Sequence, residues 1–333
     1  MSDSCSARFV VADTLDHFPA SLRGGVVAIG NFDGVHRGHR AVLQQAIDIA
    51  RAKNVPAYVL TFEPHPRSVF NPDAPVFRLT PREIKAAIME GLGMNGMVSL
   101  PFTPEFAAIP ADTFVQDILI EKLGVTHAVT GYDFHFGQAR SGSPEFLSAA
   151  GAHHGFGVTI VPPEHDEGDN VISSSRIRSA LGEGDISLAN GLLGYRWFVE
   201  GEVRHGDQRG RDLGFPTANL AMKHESLLKY GIYAVRMKVG DKDYDGVASY
   251  GRRPTFDNGA PLLETFLFDF HGDLYGKVVR VTLYSYLREE RKFDSVDALV
   301  TQMTRDSEEA KAALAASTPL SDLDLALSGQ HLR

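Results

Sequence analysis

The stretch GNFDGVHRGHR, residues 30 to 40, places three glycines, two histidines, one aspartate and two arginines in eleven residues. An apolar run, VVAIG, precedes it and a helical pattern, RAVLQQAIDIARAK, follows. A parallel strand that ends in a glycine-rich loop before a helix holds ligand at the carboxyl edge of its sheet. The helix N-terminus offers unpaired amides and a partial positive charge, which suit phosphate. Glycines let the backbone come close to it. His36 and His39 are three apart and share a face once the first helical turn has begun. Imidazoles there can donate to phosphate oxygens and stabilise charge that builds up during displacement at phosphorus. Taken alone, His-x-Gly-His equally describes a tight βα loop whose histidines are merely polar.

A second element reads as another phosphate clamp. ISSSRIRSALGEGD, residues 172 to 185, opens a helix with three hydroxyls followed by Arg176 and Arg178. Hydroxyls, amides and guanidinium groups together hold phosphate, although a serine N-cap with solvent-facing arginines has the same spelling. TFEPHPRSVF (61–70) and GYDFHFGQARSG (131–142) both follow strand-like runs, so both should reach the same sheet edge. There Phe134 and Phe136 can stack on a flat ring and Arg140 can meet a phosphate. The alternatives are core aromatics, a surface arginine and, for His65, a satisfied loop histidine.

HGDQRGRDLGFPTANL, residues 205 to 220, is the other unusual stretch. Thr217 and Asn219 follow Pro216 and stand two apart, so an extended chain points both to one side. Each presents an oxygen, and magnesium takes oxygen ligands beside substrate phosphates. On spacing alone, a proline turn closed by Thr and Asn side chains fits as well.

These motifs need scaffolds, and the chain supplies two textures. Strand-like runs at 26–30, 57–62, 96–102, 127–134 and 157–162 alternate with helical patterns, which predicts an α/β domain with a mainly parallel, Rossmann-like sheet. TPRE predicts a capping box with Thr80 as N-cap, Pro81 first and Glu83 third, and SPEF predicts Ser143 as cap and Pro144 as first residue. Near residue 182 the texture changes to short strands and glycine-rich turns, which predict a small antiparallel barrel or sandwich. In the helix that follows, Val296, Leu299, Val300 and Met303 fall on one face. The domains are therefore set at 1–185 and 186–333. GLGMNG (91–96) matches GxGxxG, but it follows a helix and leads into a strand, so it reads as a helix stop and turn. No GxxxxGK[ST] occurs.

With 33 basic against 42 acidic residues the formal net charge is −9, which argues against general nucleic-acid or membrane-surface binding. The one cysteine, Cys5, allows no intrachain disulfide and no cysteine-based zinc site. No apolar run is long enough to span a bilayer and the start lacks a signal-peptide pattern, so a cytoplasmic location is expected. Nothing in the sequence specifies an oligomeric state.

GNFDGVHRGH, FEPHP, GYDFHFGQARSG and ISSSRIR, in that order and spacing, resemble the adenylyltransferase module of bacterial bifunctional riboflavin kinase/FAD synthetases. That module belongs to the nucleotidylyltransferases with a His-x-Gly-His signature. Two departures stand out: Ser175 where the family usually has threonine, and Ser143 where it usually has aspartate. GRDLGFPTANL, GIYAV, GRRPTF, the Glu264 strand, HGDLYGK and LREERKF are similar to bacterial flavokinase modules, which are small β-barrels. Together the resemblances cover about residues 20 to 310.

The resemblance implies that riboflavin, ATP and FMN are the ligands, with FMN an intermediate and Mg2+ the cofactor. It implies catalytic His36 and His39, ATP phosphates on Gly30, Asn31, Phe32, Asp33, Gly38, Ser173, Ser174 and Arg178, and FMN on His65, Asp133, Phe134 and Arg140. In the second module it implies ATP or flavin on Gly206, Arg211, Gly214 and Arg288, the last in the loop before the final helix. Thr217 and Asn219 would hold magnesium, and Glu264 would be the general base for the ribityl hydroxyl. Two rivals are a nucleotidylyltransferase of other specificity with a regulatory barrel, and a flavin sensor without catalysis. FPTAN and GDLYG weigh against the first. His36, His39, Thr217, Asn219 and Glu264, all present, weigh against the second.

Overall fold

The computed structural model describes residues 9–205, 214–223, 225–252 and 261–329. Strands β1 (Val10–Ala12), β2 (Val26–Ile29), β3 (Ala57–Glu63), β4 (Gly96–Pro101), β5 (His127–Gly131) and β6 (Gly157–Val161) form one sheet in the order β1-β4-β3-β2-β5-β6. Every pairing in it is parallel. The apolar spelling of β2 and β3 explains this, because strands buried on both faces need a sheet covered on both sides. From β2 the chain winds to β3 and β4 on one flank, then to β5 and β6 on the other. Ligands bind outside the carboxyl ends of the strands at such a reversal. The loops after β2 and β5, neighbours at that point, carry motifs, and the loop after β3 carries His65.

The connections are helical: α1 (Arg37–Lys53), α2 (Pro66–Phe70), α3 (Arg82–Gly91), α4 (Pro104–Ala107), α5 (Ala111–Thr113) with a π-helical continuation Phe114–Lys122, and α6 (Pro144–His154). All five strand-like runs are strands. The edge strand β1 is an addition, too short at three residues for an alternation to show. Ser143 caps α6 as expected, accepting the Phe146 N–H at 3.2 Å. GLGMNG is the expected stop and turn: α3 ends at Gly91, Gly93 has φ +90°, and β4 opens at Gly96.

The capping box at Thr80 does not form. Pro81 occupies the N-cap of α3, which has no side-chain cap bond. The Thr80 hydroxyl instead accepts the Gly34 N–H at 2.9 Å, so a tertiary donor has displaced the local one.

The remaining elements are α7 (Ser174–Glu183), α8 (Ile186–Leu193), β7 (Phe198–Glu202), β8 (Thr217–Ala221), β9 (Gly231–Val239), β10 (Lys242–Arg252), β11 (Pro261–Leu267), β12 (Val278–Arg288), α9 (Val296–Ala315) and α10 (Asp322–Gly329). The strands form an antiparallel sheet in the order β7-β12-β9-β10-β11-β8. A bridge between Arg204 and Asn219 links its two ends, leaving a nearly closed barrel around buried Tyr233 and Tyr250. The chain divides by packing between Ser174 and Ser175, eleven residues before the compositional change at 185. Hydrogen bonds explain the offset: Lys229 N–H donates to the Leu181 carbonyl, and the Asn190 side chain bonds the backbone of Trp197 and Leu283.

Helix α9 runs further than its apolar pattern. Its buried positions are Asp306, Ala310 and Leu314, and Val296, on the apolar face, is 59% exposed. No described helix is long and apolar enough to cross a membrane.

Candidate active site

The loop after β2 holds an unusual backbone. Phe32, Gly34 and Val35 have φ of +48°, +88° and +39°. A β-branched residue rarely adopts that region, and it persists only where surroundings impose it. Here they do. The buried Asp33 carboxylate accepts the Leu79 and Thr80 N–H groups at 3.2 and 3.0 Å, and its carbonyl accepts the Ser174 hydroxyl at 2.8 Å. The Asn31 carbonyl accepts Thr61 Oγ1 at 3.1 Å and Lys85 Nζ at 2.8 Å. Phe32 and Val35 are themselves buried. The Asn31 Oδ1 atom is also buried and has no hydrogen-bond partner among the described residues.

This loop delivers His36 to the N-cap of α1. Its Nδ1 accepts the His39 N–H at 3.2 Å. An accepting Nδ1 carries no proton, so the ring proton sits on Nε2, where it can be donated to a ligand. The two imidazoles stack, 3.6 Å between centroids and 16° between planes, and Phe32 meets the His39 ring edge-on at 5.3 Å. Gly38 leaves room for the stack: a Cβ there would lie 3.3 Å from the His36 ring. At Gly30 a Cβ would lie 3.2 Å from the Phe32 ring. A side chain at either glycine would press on these rings, which would have to shift by a few tenths of an ångström.

The neighbouring loops carry the other candidates. His65 caps α2 and accepts the Arg67 N–H at 3.2 Å. After β5, the Asp133 carbonyl lies 2.9 Å from His135 Nδ1, which is 3.3 Å from Arg140 Nη2. Arg140 is exposed, with φ +59°. Phe134 stacks on Phe136 at 5.4 Å, and Phe136 packs on Phe114 and Phe146 in the core. Phe136 is thus a core aromatic, and Phe134 alone of the pair remains for a flat ring. Ser173 and Ser174 mark the start of α7, and Arg178, one turn in, is buried rather than solvent-facing.

In the barrel, Thr217 and Asn219 open β8, and Asn219 stands directly opposite Glu264 of β11. Opposed residues on antiparallel strands project to the same face with Cβ atoms about 5 Å apart. Glu264 also pairs with Ser249 on its other side. Asn219 is 4% exposed and its Oδ1 has no hydrogen-bond partner among the described residues. A buried, unpaired amide oxygen is costly, and a hard cation with oxygen ligands would relieve it. Gly214 precedes this strand with φ +83°, whereas Gly206 and Arg211 lie outside the described residues. Arg288 ends β12 and is not in the following loop. Its guanidinium bonds both carboxylate oxygens of buried Asp306, at 2.7 and 2.5 Å.

The sequence motifs single out neither Lys85 nor Thr61 and read Thr80 only as a helix cap. Lys85 is 3% exposed. Burial lowers its ammonium to about 8, with Asp33 pulling the other way and Arg78 lowering it further. The signal was present: Lys85 lies three and four residues before Ile88 and Met89, on the buried face of α3.

Two family models match the chain, FAD synthetase over residues 18–176 and riboflavin kinase over residues 193–314. A bifunctional riboflavin kinase/FMN adenylyltransferase from Escherichia coli K12 is 40% identical over 288 residues, 86% of this chain and 92% of that protein. One of the same description from Listeria monocytogenes is 41% identical over 293 residues, 87% and 92% of the two chains. A crystal structure of a protein described as a macrolide-efflux protein from Streptococcus pneumoniae superposes with a TM-score of 0.81 at 31% identity, covering 91% of this chain and 98% of that one. With both modules matched in order and two-fifths of the residues shared along most of its length, the chain belongs to the bifunctional riboflavin kinase/FMN adenylyltransferase family.

Proposed function

We infer that the chain carries out two successive steps of flavin cofactor synthesis. The region 186–333 moves the γ-phosphoryl group of ATP to riboflavin, giving FMN and ADP. The region 1–185 joins FMN to the AMP part of a second ATP, giving FAD and pyrophosphate. The observation that carries the reading is the stacked His36–His39 pair at a helix N-terminus beside the point where the parallel sheet reverses.

In adenylyl transfer, an FMN phosphate oxygen bonds to the α-phosphorus of ATP as the bond to the β-phosphate oxygen breaks. The protein positions these groups and offsets charge. His36, through its Nε2–H, and His39 donate to the phosphates. The backbone of Gly30 to Asp33, Gly38 and the Ser173 and Ser174 hydroxyls hold the ATP chain. The Asp33 carboxylate acts through the loop, because its oxygens face Leu79 and Thr80. His65, Asp133, Phe134 and Arg140 hold FMN.

In phosphoryl transfer, Glu264 takes the proton of the ribityl hydroxyl as its oxygen bonds to the γ-phosphorus and ADP leaves. Thr217 and the Asn219 Oδ1, which has no partner among the described residues, would hold magnesium. Bound with ATP, the ion neutralises phosphate charge. Gly206, Arg211 and Gly214 belong to the phosphate-wrapping segment, and Arg288, fixed by Asp306, offers its guanidinium face to the flavin. The chain works in the cytoplasm, where its nucleotide substrate is made.

Purified protein incubated with riboflavin, ATP and magnesium, with products separated by chromatography, tests the reading. FMN should appear first and FAD after it. Absence of both products would overturn it.

A further inference from the structure

Lys85 has no role in the chemistry described above, yet it is buried against the ATP loop. We propose that Lys85 is a positioning residue for adenylyl transfer: its ammonium fixes the Asn31 carbonyl and so holds the 31–35 turn in the shape that aims His36. The proposal rests on the reading of the first region as an FMN adenylyltransferase.

Lysine is rarely buried, because its charged form loses water. Its cost here is offset by a small set of partners. Nζ donates to the Asn31 carbonyl at 2.8 Å and lies 3.5 Å from Thr61 Oγ1, which donates to that same carbonyl at 3.1 Å. Both lone pairs of one carbonyl are therefore used, and the plane of the peptide between Asn31 and Phe32 is set. The next residues carry the positive φ angles of the turn, at Phe32, Gly34 and Val35. Two anchors hold the turn from opposite ends: Lys85 and Thr61 on Asn31, and Thr80 on Gly34 and Asp33. Without the first, the Asn31 peptide can rotate and the strained residues can relax toward ordinary φ. His36 follows the turn directly, so its Nε2 would lose its aim. The charged groups acting on Lys85 are Asp33 on the loop and Arg78 before α3, and Arg78 pairs with Glu63 at the end of β3. A single ammonium among them also places positive charge beneath the loop that takes the phosphates.

The test compares Lys85→Met and Lys85→Gln with the parent full-length chain, measuring FMN formation and FAD formation separately. Methionine keeps the length and removes the donors, and glutamine restores one N–H donor. The expected result is a fall of at least tenfold in kcat for FMN to FAD in Lys85→Met, unchanged riboflavin phosphorylation, and recovery of most of the loss in Lys85→Gln. Parent kcat in Lys85→Met overturns the proposal. So does equal loss in both variants accompanied by a matching loss of folded protein, the mark of a purely structural role. If Lys85→Met does not fold, the parent's pH profile decides. FAD formation should fall relative to FMN formation as pH passes through about 8, where Lys85 gives up its proton and its bond to Asn31 weakens. A flat ratio overturns the proposal. A parent that makes FMN but no FAD would instead sink the adenylyltransferase reading itself.

Discussion

His36 accepts the backbone N–H of His39 through Nδ1 at 3.2 Å while the two imidazoles stack 3.6 Å apart. One side chain thus does two jobs. It caps α1, and an accepting Nδ1 puts its proton on Nε2, the donor proposed for the phosphates.

Substitutions can separate these jobs. Asparagine is a good N-cap but has no imidazole. His36→Asn should keep the parent stability and lose about 2 to 4 kcal/mol of transition-state stabilisation in FAD formation, the scale of one removed oxyanion donor. His36→Ala should show the same kinetic loss and in addition lose about 1 kcal/mol of stability. Urea unfolding and an FMN-to-FAD assay check both arms. Parent FAD formation in His36→Asn would make the imidazole a capping group only.

Glu264 faces Asn219 across β8 and β11 in direct register. Glu264→Gln keeps the size and removes the basic oxygen. Riboflavin phosphorylation should collapse, nucleotide affinity should change little, and supplied FMN should still become FAD. Steady-state rates with ATP titrated in each assay measure this. A parent rate of riboflavin phosphorylation would move the base to another group.

Asn219 should matter through magnesium. Asn219→Ala removes the buried oxygen that has no partner among the described residues. The magnesium concentration for half-maximal FMN formation should rise about tenfold or more, a typical cost for a perturbed metal site. FAD formation from FMN should keep its own magnesium dependence. An unchanged magnesium curve for the kinase step would leave Asn219 out of the site.

Lys85 makes stability depend on pH. The folded chain holds its proton to about pH 8 and the unfolded chain to the ordinary lysine value of 10.5. Between those values unfolding takes up a proton, so stability rises with pH. The full span corresponds to about 3 kcal/mol. Lys85→Met lacks this gain, so its unfolding free energy should drop relative to the parent from pH 8 upward. Urea midpoints at several pH values give the difference, and a constant difference would contradict the burial argument.

Much of this was legible in the sequence. The parallel strands spelled themselves as mainly apolar runs, and the two candidate loops as glycine- and histidine-rich joints between strand and helix. What escaped depended on partners distant in sequence. Thr80 looks like a helix cap until Gly34, 46 residues away, claims its hydroxyl. Lys85 looks like one charged residue on a surface helix until Asn31 appears beneath it. Arg288 reads as a loop cation because Asp306, 18 residues on, marks nothing by itself. The packing boundary at Ser174 precedes the change in texture because α7 and α8 look like the helices before them, while their hydrogen bonds go to the barrel.

On the function proposed above, one chain holds two active centres linked by FMN, and mixing two variants tests this. His36→Asn alone, given riboflavin, ATP and magnesium, should stop at FMN, and Glu264→Gln alone should leave riboflavin untouched. Mixed in one reaction, the two variants should convert riboflavin to FAD, seen by chromatography, because each supplies the step the other lacks. A mixture that yields no FAD, although each variant keeps its remaining activity, would contradict the account.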